Sequence, residues 1–118
     1  MEHSVRSVND RKFVEAAAGF HLSDEQEALD IAAYCWEKET ENLLLNHANL
    51  PDKFFNLRTG LAGAVLQKFS NYRIRAAAVV DPVKISGKFS ELVRELNRGG
   101  SFRVFENREE AESWLLGI

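Results

Sequence analysis

The chain reads as an α/β protein: a sheet of about five strands, mainly parallel, with helices on both faces. Three observations predict this. Short apolar runs at Leu43–Leu45 and Ile74–Val80, and a last strand at Phe102–Phe105, alternate with segments whose apolar residues recur every three or four positions. The resulting order, β-β-α-β-α-β-α-β-α, is that of parallel strands joined by right-handed crossovers. Finally, Ile74–Val80 is apolar on both faces of its pleat apart from Arg75, which suits a strand covered by helices on both sides, so it is expected at the centre of the sheet. About five strands suit a layered sandwich rather than a closed barrel.

The elements follow in order. His3–Val8 and Lys12–Ala17 read as two strands around an Asn9-Asp10-Arg11 turn, an antiparallel addition to the sheet. Ser23 is the expected cap of the first helix, with Gln26 at capping-box spacing and Asp24 and Glu25 suited to the positive end of the dipole. Its buried stripe is expected at Ala28, Leu29, Ala32, Ala33 and Trp36, and its end near Lys38. After the Leu43–Leu45 strand comes a loop, Asn46–Pro51, then a turn of helix at Asp52–Phe55. A second helix is expected from Asn56, with Leu57, Leu61, Ala64, Val65 and Phe69 facing inward. Asp81-Pro82 closes the Ile74–Val80 strand, because proline cannot donate to a ladder. Phe89, Leu92, Val93 and Leu96 define a third helix, stopped by Asn97-Arg98-Gly99-Gly100. Asn107 and Glu110 form a capping pair for the terminal helix, whose stripe is Ala111, Trp114 and Leu115.

Composition narrows the class. The 118 residues are expected to form one domain, 1–118, large enough to bury a core without disulfides or metal. No apolar run approaches the roughly 20 residues of a membrane helix, and the polar start, Met1–Asp10, does not resemble a secretory signal. A single cysteine, Cys35, excludes an internal disulfide and suits a reducing cytoplasm. The net charge of −3 divides unevenly: residues 1–52 hold 4 basic and 11 acidic residues, residues 53–118 hold 11 basic and 7 acidic. One reading is solvated faces and dipole complementarity. The other is a two-faced surface that self-associates as a homodimer or meets a protein partner. Nucleic acid is not an expected partner, because no aromatic residues interleave with the basic ones. No metal and no cofactor is expected: His3, His21 and His47 lie at unrelated spacings, and Cys35 beside Trp36 reads as a small buried residue.

Ligands of open α/β sheets bind beyond the carboxyl ends of the strands. His47 and Asn49 follow the first internal strand. Arg58, Thr59 and Gly60 stand where the second helix is expected to begin, and Asp81 and Lys84 follow the next strand. A helix N-terminus flanked by Arg58 and Lys84 would favour an anion. Gly60 and Gly63, read as a pair on one helix, imply close approach to the sheet or to a second subunit. A His47–Asp81–Thr59 catalytic set lacks a nucleophile elbow, so the chain is not expected to be an enzyme.

Two resemblances attach to these residues. The segment Phe54-Phe55-Asn56-Leu57-Arg58-Thr59-Gly60-Leu61-Ala62-Gly63, running into Leu66-Gln67-Lys68-Phe69-Ser70-Asn71-Tyr72-Arg73, resembles the bacterial domain of unknown function 4180 family, over nearly the whole chain. The element order is also similar to STAS domains, the anti-sigma-factor antagonist class. There a strand and loop lead to a helix beginning Ser/Thr-Gly-Leu, here Thr59-Gly60-Leu61. That resemblance implies a STAS-like fold and a regulatory phosphosite at Thr59, although the acidic residue usual before the hydroxyl is replaced by Arg58. The reading is therefore a non-catalytic regulatory or protein-interaction module. The alternative is a small-ligand or anion-binding protein using the rim at His47, Thr59 and Asp81.

Overall fold

The computed structural model describes residues 2–118. Strands β1 (Ser4–Val8) and β2 (Arg11–Glu15) form an antiparallel hairpin. Its two turn residues, Asn9 and Asp10, both have positive φ (49° and 67°), the geometry of a two-residue turn whose twist matches the strands. Helix α1 (Glu25–Glu37) is capped by Asp24, whose carboxylate accepts the Glu27 N–H at 2.9 Å. The cap thus lies one residue beyond the expected Ser23, and it combines the capping bond with a negative charge at the dipole's positive end. The buried stripe is Ala28, Ile31, Ala32 and Cys35 rather than the one ending in Trp36. The small residues of this face let α1 pack closely against the helix over Leu61–Asn71. Trp36, 56 % exposed, lies outside it and donates its indole N–H to the Tyr72 carbonyl. Burial pushes the Cys35 thiol up to about 12, so it behaves as a small apolar side chain.

Strand β3 (Asn42–Leu45) leads through a short 3-10 turn to α2 (Asp52–Phe55). No continuous helix starts at Asn56. A second 3-10 turn, Leu57–Thr59, ends at Gly60 with φ +79°, and α3 runs from Leu61 to Asn71. A left-handed residue breaks the helical path, and glycine takes that conformation without strain. Gly60 and Gly63 therefore do not share one helix. Gly63 is exposed with open space around it, so close approach is not what it supplies. Strand β4 (Arg75–Val79), helix α4 (Gly87–Leu96), strand β5 (Phe102–Phe105) and helix α5 (Arg108–Leu116) complete the chain. Asn107 caps α5 as its side-chain type predicts, accepting the Glu110 N–H at 2.9 Å.

The five strands lie in the order β1-β2-β3-β4-β5, with β2 to β5 parallel. The middle strand is therefore β3. β4 lies beside it, and both are buried on both faces, so apolar pattern alone could not rank them. Crossovers of one hand stepping in one direction place α1, α3 and α4 on the same face. Their core includes Ile31, Val65, Phe69 and Phe89 against Val14, Leu43, Ala76 and Ala78. Helix α5 covers the other face alone, with Ala111, Leu115 and Leu116 on Phe13, Leu44 and Ala77. Because strand order never reverses among the parallel strands, no crevice opens between helices on opposite faces, the usual ligand site of such sheets.

The two outer strands differ. Asn97, in the turn before β5, accepts the Val104 N–H at 2.8 Å and donates to the Val104 carbonyl at 3.1 Å, so it occupies the β5 edge. All five residues of β1 are exposed.

Candidate functional site

The loops after β3 and β4 bring several of the sequence-predicted residues together. His47 is half-buried and stacks on Phe55, with centroids 5.6 Å apart and planes 22° from parallel. Its Nδ1 accepts the backbone N–H of Asp81 at 3.1 Å, which leaves the proton of the neutral ring on Nε2. The Asp81 carboxylate instead accepts the Val83 N–H at 3.0 Å and caps the turn after β4. No acid–histidine relay is formed. Lys84 lies 3.3 Å from the Asp52 carboxylate and 5.8 Å from the centre of the Phe55 ring. His47, Asp81 and Lys84 thus gather around Phe55 on the surface, each engaged with a near neighbour.

Asn49 does not reach that surface. It is fully buried: its amide donates to the carbonyls of Ala17 (2.9 Å) and Phe20 (2.8 Å), and its oxygen accepts the Asn46 N–H at 2.8 Å. The side chain fastens the segment before α1 to the loop after β3. Thr59 lies in the 3-10 turn before α3, not in the helix's first turn. Its hydroxyl is 2.7 Å from the Lys53 carbonyl and 2.9 Å from that of Asn56, and it accepts the Leu61 N–H at 3.3 Å. The expected anion cradle also changes. The Thr59 N–H donates to Asn56 (3.0 Å) and the Gly60 N–H to Leu57 (3.2 Å), because the 3-10 turn uses them. Arg58 is exposed, and its backbone N–H is taken by the Asn56 side chain.

Two concave parts of the surface lie elsewhere. A cleft of about 280 Å³ between α3 and α4 is floored by Phe69 and Phe102. A hollow of about 520 Å³ is lined by His3, Phe20, His21 and Tyr34. Among the described residues, no group of three or more His, Cys, Asp or Glu side chains could hold a metal ion. No helix there is long and apolar enough to cross a membrane.

The sequence reading missed a charged cluster on the α5 face. Arg108 Nη1 and Nη2 meet the two oxygens of Glu15 at 2.6 and 2.7 Å, and Arg108 also pairs with Glu112. Asn46 donates to Glu15 at 3.0 Å, and Arg6 lies 3.3 Å from it. One signal was available. An arginine at the first position of a helix opposes the dipole, so Arg108 called for carboxylate partners. The bidentate Arg108 pair, aided by Asn46 and Arg6, outweighs burial and holds the Glu15 carboxyl at about 2, below its ordinary 4.5. A depressed carboxylate stabilises the fold above its unfolded pKa and loses that contribution as pH falls through the folded value. Stability should therefore drop by about 2 kcal/mol between pH 5 and pH 2 through this group, after discounting for solvent around Arg108. Urea unfolding across that range checks it, and Glu15→Gln should flatten the acid limb. An unchanged slope in the variant would remove Glu15 from the account.

Fold and surface together define an α/β protein with a mainly parallel sheet whose strands follow chain order. Its rim groups are bonded to near neighbours rather than converging on a cavity. The chain belongs to the family described as Domain of unknown function (DUF4180), which matches residues 8–115. No curated protein and no solved structure matches the chain.

Proposed function

We propose that the protein is a non-catalytic, regulatory protein-interaction module of the cytoplasm, and that its contact element is the open edge of β1. The observation that carries this is the contrast between the two sheet edges: Asn97 takes both backbone groups of Val104 in β5, while β1 is exposed along all five residues. An open edge is a template for an extended strand of another chain. Ser4–Val8 carries no proline, lysine or bulge, and Arg6 is its one charged residue. The element order that resembles STAS domains supports the regulatory half of the reading.

The alternative, a small-ligand or anion site on the rim of His47, Thr59 and Asp81, has less support. The N–H groups of Thr59 and Gly60 are engaged within the turn, and the Thr59 hydroxyl faces two carbonyls. A phosphoswitch at Thr59 would first have to release that hydroxyl.

A photo-crosslinking residue placed at Ser7 should give discrete adducts in living cells, and the same residue at Lys88 on exposed α4 should not. Equal expression with no adduct at Ser7 would overturn the reading.

A further inference from the structure

We propose that the strand accepted by β1 is β1 of a second copy, antiparallel about a two-fold axis at Ser4, with Glu2 of each chain against Arg6 of the other. This rests on the reading of β1 as the contact edge.

The backbone directions limit the registers. Within a strand, successive residues direct their N–H and C=O groups to opposite edges. In β2, the Ala16 N–H bonds to Leu44 of β3, and the Lys12 carbonyl accepts from Thr40 and Asn42 on the same side. The even-numbered residues of β2 thus face β3 and the odd-numbered ones face β1. Ser4, Arg6 and Val8 pair with Glu15, Phe13 and Arg11, so they face inward. His3, Val5 and Ser7 carry the outward groups. Outward residues must pair with outward residues, so a two-fold axis must pass through a residue and not between two.

Four axes lie along the usable edge. An axis at Arg6 sets two arginines opposite each other, a like-charge pair that disfavours association. An axis at Val5 or Ser7 leaves Arg6 against a neutral residue. An axis at Ser4 sets Glu2 against Arg6 twice and pairs His3, just before the strand, with Val5 twice. The Val5 groups and the His3 N–H face outward, and the His3 carbonyl, which accepts the Tyr34 hydroxyl at 3.0 Å, has one lone pair left for the partner strand. Residues 2, 4 and 6 then lie on the sheet face that also carries Glu15, where Arg6 is already drawn. Self-association is favoured over an unrelated strand because this register is self-complementary in charge, as an isologous interface must be.

Sedimentation equilibrium of the full chain at about 100 µM in low salt tests the proposal, since exposed pairs weaken with salt. The wild type should dimerise. Glu2→Arg alone and Arg6→Glu alone should each weaken dimerisation about tenfold or more, because two opposite-charge pairs become like-charge pairs. An equimolar mixture of the two variants should recover a dimer, because each then meets its complement. Circular dichroism verifies that both remain folded. Glu2 lies outside the strand and is exposed, so Glu2→Arg keeps the test decisive if Arg6→Glu disturbs the hairpin. Variants that dimerise as tightly as the wild type, or a mixture no better than either alone, would overturn the register. A wild-type monomer at this concentration whose Ser7 adducts differ from twice the chain mass would overturn the second copy and leave the module reading standing. Absence of any Ser7 adduct would remove both.

Discussion

Replacing Phe89 by alanine should lower stability by about 3–5 kcal/mol, a large share of the ~5–15 kcal/mol of an ordinary domain. Phe89 and Val93 are the two buried residues of α4. The Phe89 ring meets Phe55 edge-on at 5.1 Å and Phe54 at 6.1 Å, and Phe54 continues the contact to Phe102 on β5 at 6.5 Å. Truncation would therefore remove the anchor of α4 and open a gap beside Phe54, itself 2 % exposed. Neighbours with fixed backbones collapse only partly into such a gap, so a cavity cost adds to the lost transfer energy. The midpoint of urea unfolding reads the effect directly. A loss under about 1 kcal/mol would mean that α4 does not depend on this ring. Because Phe55 also stacks on His47, the same variant should loosen the rim.

Asn49→Asp should cost at least about 3 kcal/mol at neutral pH, although the two side chains are nearly the same size. The amide of Asn49 supplies both donors that Ala17 and Phe20 receive. A carboxylate offers neither, and it would face those carbonyl oxygens with a buried negative charge. Protonation restores one donor, so the variant's deficit relative to the wild type should shrink as pH falls toward 4. Thermal melts at pH 7 and pH 4 check both the size and the direction. A residue whose role was to touch a ligand at the surface would give a variant of unchanged stability.

Asn49 also shows why parts of the site were hidden in the sequence. Its position in a loop after a strand is where binding residues are found, and nothing in Asn46-His47-Ala48-Asn49 shows that the amide turns inward. The strands and most helices were legible because their signals are local: Leu43–Leu45 is an apolar run, and Asn107 and Glu110 are a capping pair three residues apart. The Glu15–Arg108 pair joins residues 93 positions apart, and no periodicity reaches so far. His47 and Asp81 lie beside each other. The bond, however, uses the Asp81 backbone N–H and not its carboxylate, an outcome decided by the turn after β4. The helix expected from Asn56 failed at one residue, Gly60, whose positive φ no composition reveals.

The one-way strand order has a consequence for how the chain folds. Every sheet pairing joins strands that are also neighbours along the chain. Low sequence separation between paired segments reduces the loop-closure entropy at each step, which favours rapid folding. During synthesis, which proceeds from the N-terminus, the hairpin can form first, and each later strand finds its preceding neighbour already in place. Helix α5 arrives last, and until it docks, Phe13, Leu44 and Ala77 lie uncovered on its face of the sheet. Its two fastenings reach far back along the chain: Arg108 grips Glu15 at one end, and at the other Arg75 donates to the carbonyls of Trp114 and Leu115. A nascent chain stalled before residue 108 would therefore display an apolar sheet face, and the interval before release is when a chaperone would recognise it.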